Sequence, residues 1–189
     1  TIDGVADPGA QNLGAAVVIG ARSYAGGNNN VAIGNKAYTT EHAAIAIGRE
    51  SVASNGSALS IGTVSSATGI KSTALGHSSL ASGTRAIAIG SSDGVDPRFY
   101  NATNTQANGV DSIALGTAAV THQDAISAIA LGYKASTTKE AALALGNQSA
   151  AEGIKALALG ASAKSSADSA TAIGDESIAS AADAVAIGT

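Results

Sequence analysis

Residues 41–62 read EHAAIAIGRESVASNGSALSIG: the run Ala-Ala-Ile-Ala-Ile-Gly ends at Gly48, and fourteen residues later Ser-Ala-Leu-Ser-Ile-Gly ends at Gly62. The same Ile-Gly or Leu-Gly pair closes twelve segments, at Gly20, Gly34, Gly48, Gly62, Gly76, Gly90, Gly116, Gly132, Gly146, Gly160, Gly174 and Gly188. Nine of the eleven intervals are 14 residues; the exceptions are 26 residues, from Gly90 to Gly116, and 16 residues, from Gly116 to Gly132. A fixed period of this kind marks a stacked repeat architecture. One repeat is enlarged by twelve residues and the next by two.

Within the repeat each position keeps its own chemistry. Ile or Leu precedes the glycine in all twelve copies, and Val, Ile, Leu or Thr stands two residues before that, from Val17 to Val185. Between these columns sits Ala in ten of twelve copies, with Val18 and Ser60 as the departures. Alternation of period two, rich in β-branched residues and ended by glycine, reads as a strand. A second strand follows: small residues stand three and five positions after the glycine, as at Ser51 and Ala53 or Ala163 and Ser165. The residue between them varies, as at Tyr24, Tyr38, Val52, Leu80, Lys164 and Ile178. A constant small face beside a variable one predicts that the small face points inward. Glycine and charge then gather where a turn is needed, as at Gly69 and Lys71, Gly83 and Arg85, and Gly153 and Lys155.

Composition limits the core. In 189 residues there is one Phe, four Tyr, and no Trp, Met or Cys. Large aromatic and aliphatic side chains bury the most area per residue, so their scarcity predicts a thin interior. The absence of cysteine removes disulfides and thiolate metal sites. Charged residues are 13% of the chain, the net charge is −4, and no basic run exists. The electrostatic footprint of a nucleic-acid binder is therefore missing, as is a basic patch for a membrane surface. The apolar runs are too short to span a bilayer.

Two strands and two tight turns per 14 residues predict parallel ladders along a solenoid. Twelve coils at a ladder spacing of roughly 4.8 Å give a rod on the order of 55–60 Å long. We expect the Ile and Leu columns to face inward, against the small residues of the second strand. The alanine column then faces outward. No position in the four residues before a motif glycine carries a charge in any repeat, so this strip reads as a surface covered by an identical chain. The expected contact residues are Ala32, Ala46, Ala88, Ala114, Ala130, Ala144, Ala158, Ala172 and Ala186.

The repeats Asn-Val-Ala-Ile-Gly (30–34), Ala-Ile-Ala-Ile-Gly (44–48 and 86–90), Ser-Ile-Ala-Leu-Gly (112–116) and Ala-Val-Ala-Ile-Gly (184–188) resemble the head repeat of YadA-like trimeric autotransporter adhesins. The spacer Arg49-Glu50-Ser51-Val52-Ala53 also follows that family's pattern, and the resemblance covers Ala16 to Gly188. It implies an all-β fold: a left-handed parallel β-roll solenoid of 14-residue coils, assembled as a trimer. The whole chain, 1–189, would be a single head domain with a loop insertion near 91–108. The resemblance further implies display on the surface of a Gram-negative bacterium through a stalk and anchor elsewhere in the protein. The partners would be host cell-surface or extracellular-matrix molecules. Neither nucleic acid, membrane contact by this segment nor a cofactor is implied.

Other chemistry is weighed against this. Gly90-Ser91-Ser92-Asp93-Gly94 fits G-x-S-x-G, with Asp96, Asp111 and His122 downstream, but Asp96-Pro97 and the polar run to Asn108 deny the helix that a nucleophile elbow needs. His42, His77 and His122 fall at three repeat phases, which argues against a metal column. Ice binding would need regular Thr rows; Thr39, Thr121 and Thr137 share a phase, yet Ala and Ser fill most of it. A monomeric solenoid with enzymatic or ice-binding activity is thus the alternative reading. Asn101-Ala102-Thr103 and Asn147-Gln148-Ser149 match a glycosylation sequon and read as accidental. The insertion holds Arg98, the only Phe, Phe99, and Tyr100. Loops leaving a rigid scaffold often carry binding, so these three residues are the receptor-contact candidates, with the shorter Thr121–Ser127 loop as a weaker one.

Overall fold

The computed structural model describes residues 15–94 and 104–188. Among these, twelve three-residue strands, Val17–Ile19 through Val185–Ile187, form one sheet in chain order. Eleven two-residue strands, Tyr24–Ala25 through Ile178–Ala179, form a second. Every pairing is parallel and joins equivalent repeat positions, as in Ile45↔Leu59, Ala46↔Ser60 and Ile47↔Ile61. The chain is therefore a parallel β-solenoid whose coils are the sequence repeats. The register is unbroken by either length change: Ile87 pairs with Ile113 across the large insertion and Ile113 with Ile129 across the small one.

The ladder continues through the turns, where Glu50 N donates to Asn35 O at 2.8 Å and Arg85 N to Ile70 O at 2.8 Å. Each turn except that after Gly90 places a non-glycine residue at positive φ, such as Lys36 (56°), Val64 (58°) and Lys71 (57°). This costs some backbone strain, offset by ladder bonds worth about 1 kcal/mol each. Where the motif strand ends, glycine is required. Gly48 has φ +134° and Gly146 φ +142°, and a Cβ on either would collide with the carbonyl oxygen of the glycine one coil on, Gly62 or Gly160.

Which side chains face inward is the reverse of the expectation for the motif strand. Ala32, Ala46, Ala88, Ala114, Ala130, Ala144, Ala158 and Ala172 are fully buried inside the single chain, and Ala186 in the last coil is partly so. The eight fully buried alanines have no surface to offer a second chain. The Ile, Leu and Val columns point outward instead. The reason is the width of the coil. Two-residue turns hold the sheets so close that the largest fully buried side chains are Asn30 and four threonines, Thr39, Thr105, Thr121 and Thr137. For the second strand the expectation holds: Ser51, Ala53, Ala163 and Ser165 are fully buried. Small residues thus meet small residues, and no fully buried side chain is larger than Asn or Thr.

Interior hydroxyls are accommodated by the turns. Ser65 donates to Gly62 O at 3.0 Å, Ser79 to Gly76 O at 3.1 Å and Ser149 to Gly146 O at 3.1 Å, each closing the turn that precedes it. Ser51, Ser60 and Ser65 form one buried cluster, with Ser60 and Ser65 2.8 Å apart.

Two outcomes are expected in thermal or denaturant unfolding. Gly146→Ala should destabilise by about 3 kcal/mol through strain and collision. Ala144→Leu should cost about 1–3 kcal/mol by overpacking the coil, whereas Leu145→Ala in the neighbouring outward column should leave the fold of a coil intact.

Candidate interaction surfaces

The coil presents four sides: the outward face of the motif strands, the outward face of the second strands, and the two rows of turns. The first is apolar from end to end. Of its 24 positions, 22 are Val, Ile or Leu and the other two are Thr73 and Thr171. Leu115, Leu131, Leu145 and Leu159 are each 37% exposed in the single chain, and Val17 and Ile19 of the first coil are more so. With parallel strands about 4.8 Å apart, these side chains form one continuous band without a charge along the rod. Contiguous exposed apolar surface marks an interaction site.

The second-strand face is mixed. Tyr24 and Tyr38 stack in register, with ring centroids 5.2 Å apart, and Lys164 and Ile178 stand exposed further along. Charged residues lie mainly on the turn rows. Their ion pairs bridge neighbouring coils, as in Lys36–Glu50 at 3.2 Å and Lys139–Asp124 at 3.1 Å. Arg85 reaches Asp111 with Nη2 2.6 Å from Oδ2, and this hydrogen bond holds the Asp111 carboxyl below the usual carboxylate range. Such exposed pairs contribute little individually.

The base of the large insertion is tied down at both ends. Thr105 takes the place of the inward serine of its coil, and its hydroxyl lies 2.6 Å from Gly116 O and 3.0 Å from Ser91 O. Ser91 Oγ lies 3.3 Å from Thr117 Oγ1. Asp93, 17% exposed, reaches past that coil to Lys134 at 2.8 Å. The Asp93 carboxylate, followed by the Tyr133 hydroxyl, raises the Lys134 ammonium above its ordinary range, and Lys134 Nζ stands 5.1 Å from the Tyr133 ring centroid. Arg98, Phe99 and Tyr100 lie outside the described residues, as do Asp96, Pro97 and the Asn101 sequon.

The G-x-S-x-G run does not assemble a triad. Ser92, the serine of the run, lies in the turn row that follows the motif strands, whereas Asp111 and His122 lie in the opposite row, with Asp111 held by Arg85. Among the described residues no three His, Asp or Glu side chains gather as a metal site. Thr39, Thr121 and Thr137 are fully buried, so the alternative of an ice-binding threonine row has no exposed residues to carry it. The small insertion makes an exposed turn at His122, Gln123 and Asp124.

The family model described as the YadA head domain repeat matches residues 67–92, 103–119, 107–125, 124–149, 151–177 and 165–189, together 112 of the 189 residues. The chain belongs to the YadA head family. The fold has the same affinity: the crystal structure of the collagen-binding domain of the Yersinia adhesin YadA superposes with a TM-score of 0.50 at 24% identity, over 88% of this chain and 70% of that one. No curated protein matches the chain. In this YadA-type head the motif Ile-Gly is thus an outward apolar residue followed by a glycine at coil contact distance. The pattern has a signal for its true orientation that the sequence reading passed over. The residue four before the motif glycine is also Ala or Ser in eleven of twelve copies, with Asn30 as the departure, and shares a face with the alanine column.

An outward row tolerates changes in side-chain size that the inward row does not. Leu143→Val should shift the unfolding temperature by less than Ala144→Val, measured on the same preparation by calorimetry.

Proposed function

We propose that this head is the adhesive part of a trimeric surface protein. Three copies set their Ile, Leu and Val faces against one another around a common axis, and the resulting post is displayed on a Gram-negative bacterium through regions outside this segment. The continuous apolar band carries this reading. The coil interior holds methyl and hydroxyl groups and the Asn30 carboxamide, so most of the large apolar area of the chain remains on one side of it. Closed rotational symmetry covers that side with one repeated patch and leaves no open edge.

The function is attachment to host cells or extracellular matrix, without catalysis. The likeness to a collagen-binding adhesin domain supports a matrix partner. Repeated identical surfaces on a rigid post favour multivalent capture over a single deep pocket. Arg98, Phe99 and Tyr100 of the insertion are the proposed receptor contacts, because Arg and Tyr are frequent energetic anchors at interfaces and the insertion base is clamped to the two coils that follow it.

Light scattering should give the mass of three chains, and Leu145→Glu should abolish it while Lys164→Glu leaves it unchanged, because only the first places a charge in a dry contact. A wild-type mass of one chain would refute the assembly. Deleting residues 94–103 should weaken binding to immobilised collagen and other matrix proteins about tenfold or more, the equivalent of one strong contact at about 1.4 kcal/mol, with the mass unchanged. Undiminished binding to the whole panel would remove the insertion from the receptor site.

A further inference from the structure

Two Asn-Gly pairs occur in the sequence, Asn55-Gly56 and Asn108-Gly109, and both lie at the start of a second-row turn. Their settings differ. Asn108 is held at both ends of its carboxamide: Oδ1 accepts from the Ser82 hydroxyl at 2.6 Å, and Nδ2 donates to Gln106 Oε1 at 3.2 Å. Gly109 packs against the next coil, where a Cβ would collide with Ala125 O. Asn55 is held only through Nδ2, which donates to Thr68 O, and among the described residues nothing donates to its Oδ1. A Cβ on Gly56 would meet nothing within 4 Å.

The Gly56 amide is also left without an acceptor. Ser54 N donates to Ala67 O at 3.2 Å, Ser57 N to His42 O at 2.9 Å and Ala58 N to Asn55 O at 3.1 Å, but among the described residues no acceptor meets Gly56 N. At the equivalent position of a later coil, the Asp168 carboxylate accepts from the Ile154 amide at 2.8 Å. The residue that corresponds to Asp168 for Gly56 is Ile70, whose side chain has no acceptor.

We propose that Asn55 is a site of spontaneous deamidation in the folded head. The unbonded Gly56 nitrogen attacks Asn55 Cγ, loses its proton and expels Nδ2 as ammonia, which closes a succinimide ring. Water then opens the ring. Cleavage between the nitrogen and Cγ leaves aspartate at position 55. Cleavage between the nitrogen and the main-chain carbonyl carbon leaves isoaspartate, whose main chain runs through Cβ and Cγ. Two reacting groups held in one turn have the advantage of proximity, and glycine lets the nitrogen approach without a side chain in the way. Asparagine is thermolabile as a residue type, and here the fold protects Asn108 and leaves Asn55 open. Either product sets a carboxylate on the second turn row one coil after Glu41, at a level where that row has none. Isoaspartate also adds a backbone atom to a turn whose length is fixed by the bonds from Ser57 N to His42 O and from Lys71 N to Gly56 O, each 2.9 Å. The chain thus carries a slow, one-way change of charge at a defined turn. That turn lies off the apolar band, so the chemistry does not depend on the threefold reading.

The full chain is incubated at mildly alkaline pH below its unfolding temperature, digested and mapped by mass spectrometry, with isoaspartate located by isoaspartyl methyltransferase labelling. Asn55 should convert in the folded protein while Asn108 remains an amide. In denaturant both should convert. An alanine at Gly56 meets no atom and needs no positive φ, so Gly56→Ala should keep the wild-type circular dichroism. Its conversion at position 55 should be slower by about tenfold or more, because the methyl group hinders the approach of the nitrogen. Equal conversion of Asn55 and Asn108 in the folded protein would overturn the proposal. So would an amide that persists at position 55 of the folded chain while both sites convert in denaturant, or a wild-type rate in folded Gly56→Ala.

Discussion

The separation of the two sheets governs this molecule. Apart from the two insertions, the connections are two-residue turns closed by a short backbone bond, such as Ser72 N to Gly69 O at 3.2 Å, with a residue forced to positive φ. Links this tight bring the sheets nearer than the roughly 10 Å of an ordinary sandwich filled by large side chains. The gap admits Ala, Ser, Thr and, at one level, Asn30. Bulky apolar side chains are expelled to the outside, most of them onto one side of the rod.

That arrangement divides the energetics between two levels of organisation. Burying a methyl group contributes about 0.8 kcal/mol, against about 1.5–3 kcal/mol for a Leu or Ile side chain. The coil interior supplies many of the small increments and few of the large ones. Backbone ladders carry much of the stability of the single chain, and the larger hydrophobic increments await whatever covers the outward face. Exposed ion pairs such as Lys36–Glu50 fine-tune the turn rows without altering this balance.

Much of the fold was legible because the period of two and the period of fourteen act on different residues. Ile45 and Ile47 marked a strand, Gly48 its end, and the recurrence at Ile61-Gly62 a parallel neighbour. The facing of that strand was not legible from hydrophobicity. The rule that apolar residues go inside presumes one chain with one core, and here Ile47 is held out by a coil that accommodates only Ala46. The positive φ at Val64 was equally hidden, because nothing local favours it in a β-branched residue; the stacked coils on either side impose it. The roles of Asp93 and Lys134 at the insertion base depend on contacts 41 residues apart in the chain.

The insertion after Gly90 has a consequence for how such a protein diversifies. Ladder pairing resumes at Gln106 and Ile113 as though nothing had intervened, and closing a longer excursion costs only about 0.6 kcal/mol per doubling of its length. Sequence exchanged there is uncoupled from the scaffold that presents it. Natural variation, or deliberate grafting of foreign peptides, can therefore change the sequence at this one locus while the solenoid stays unaltered.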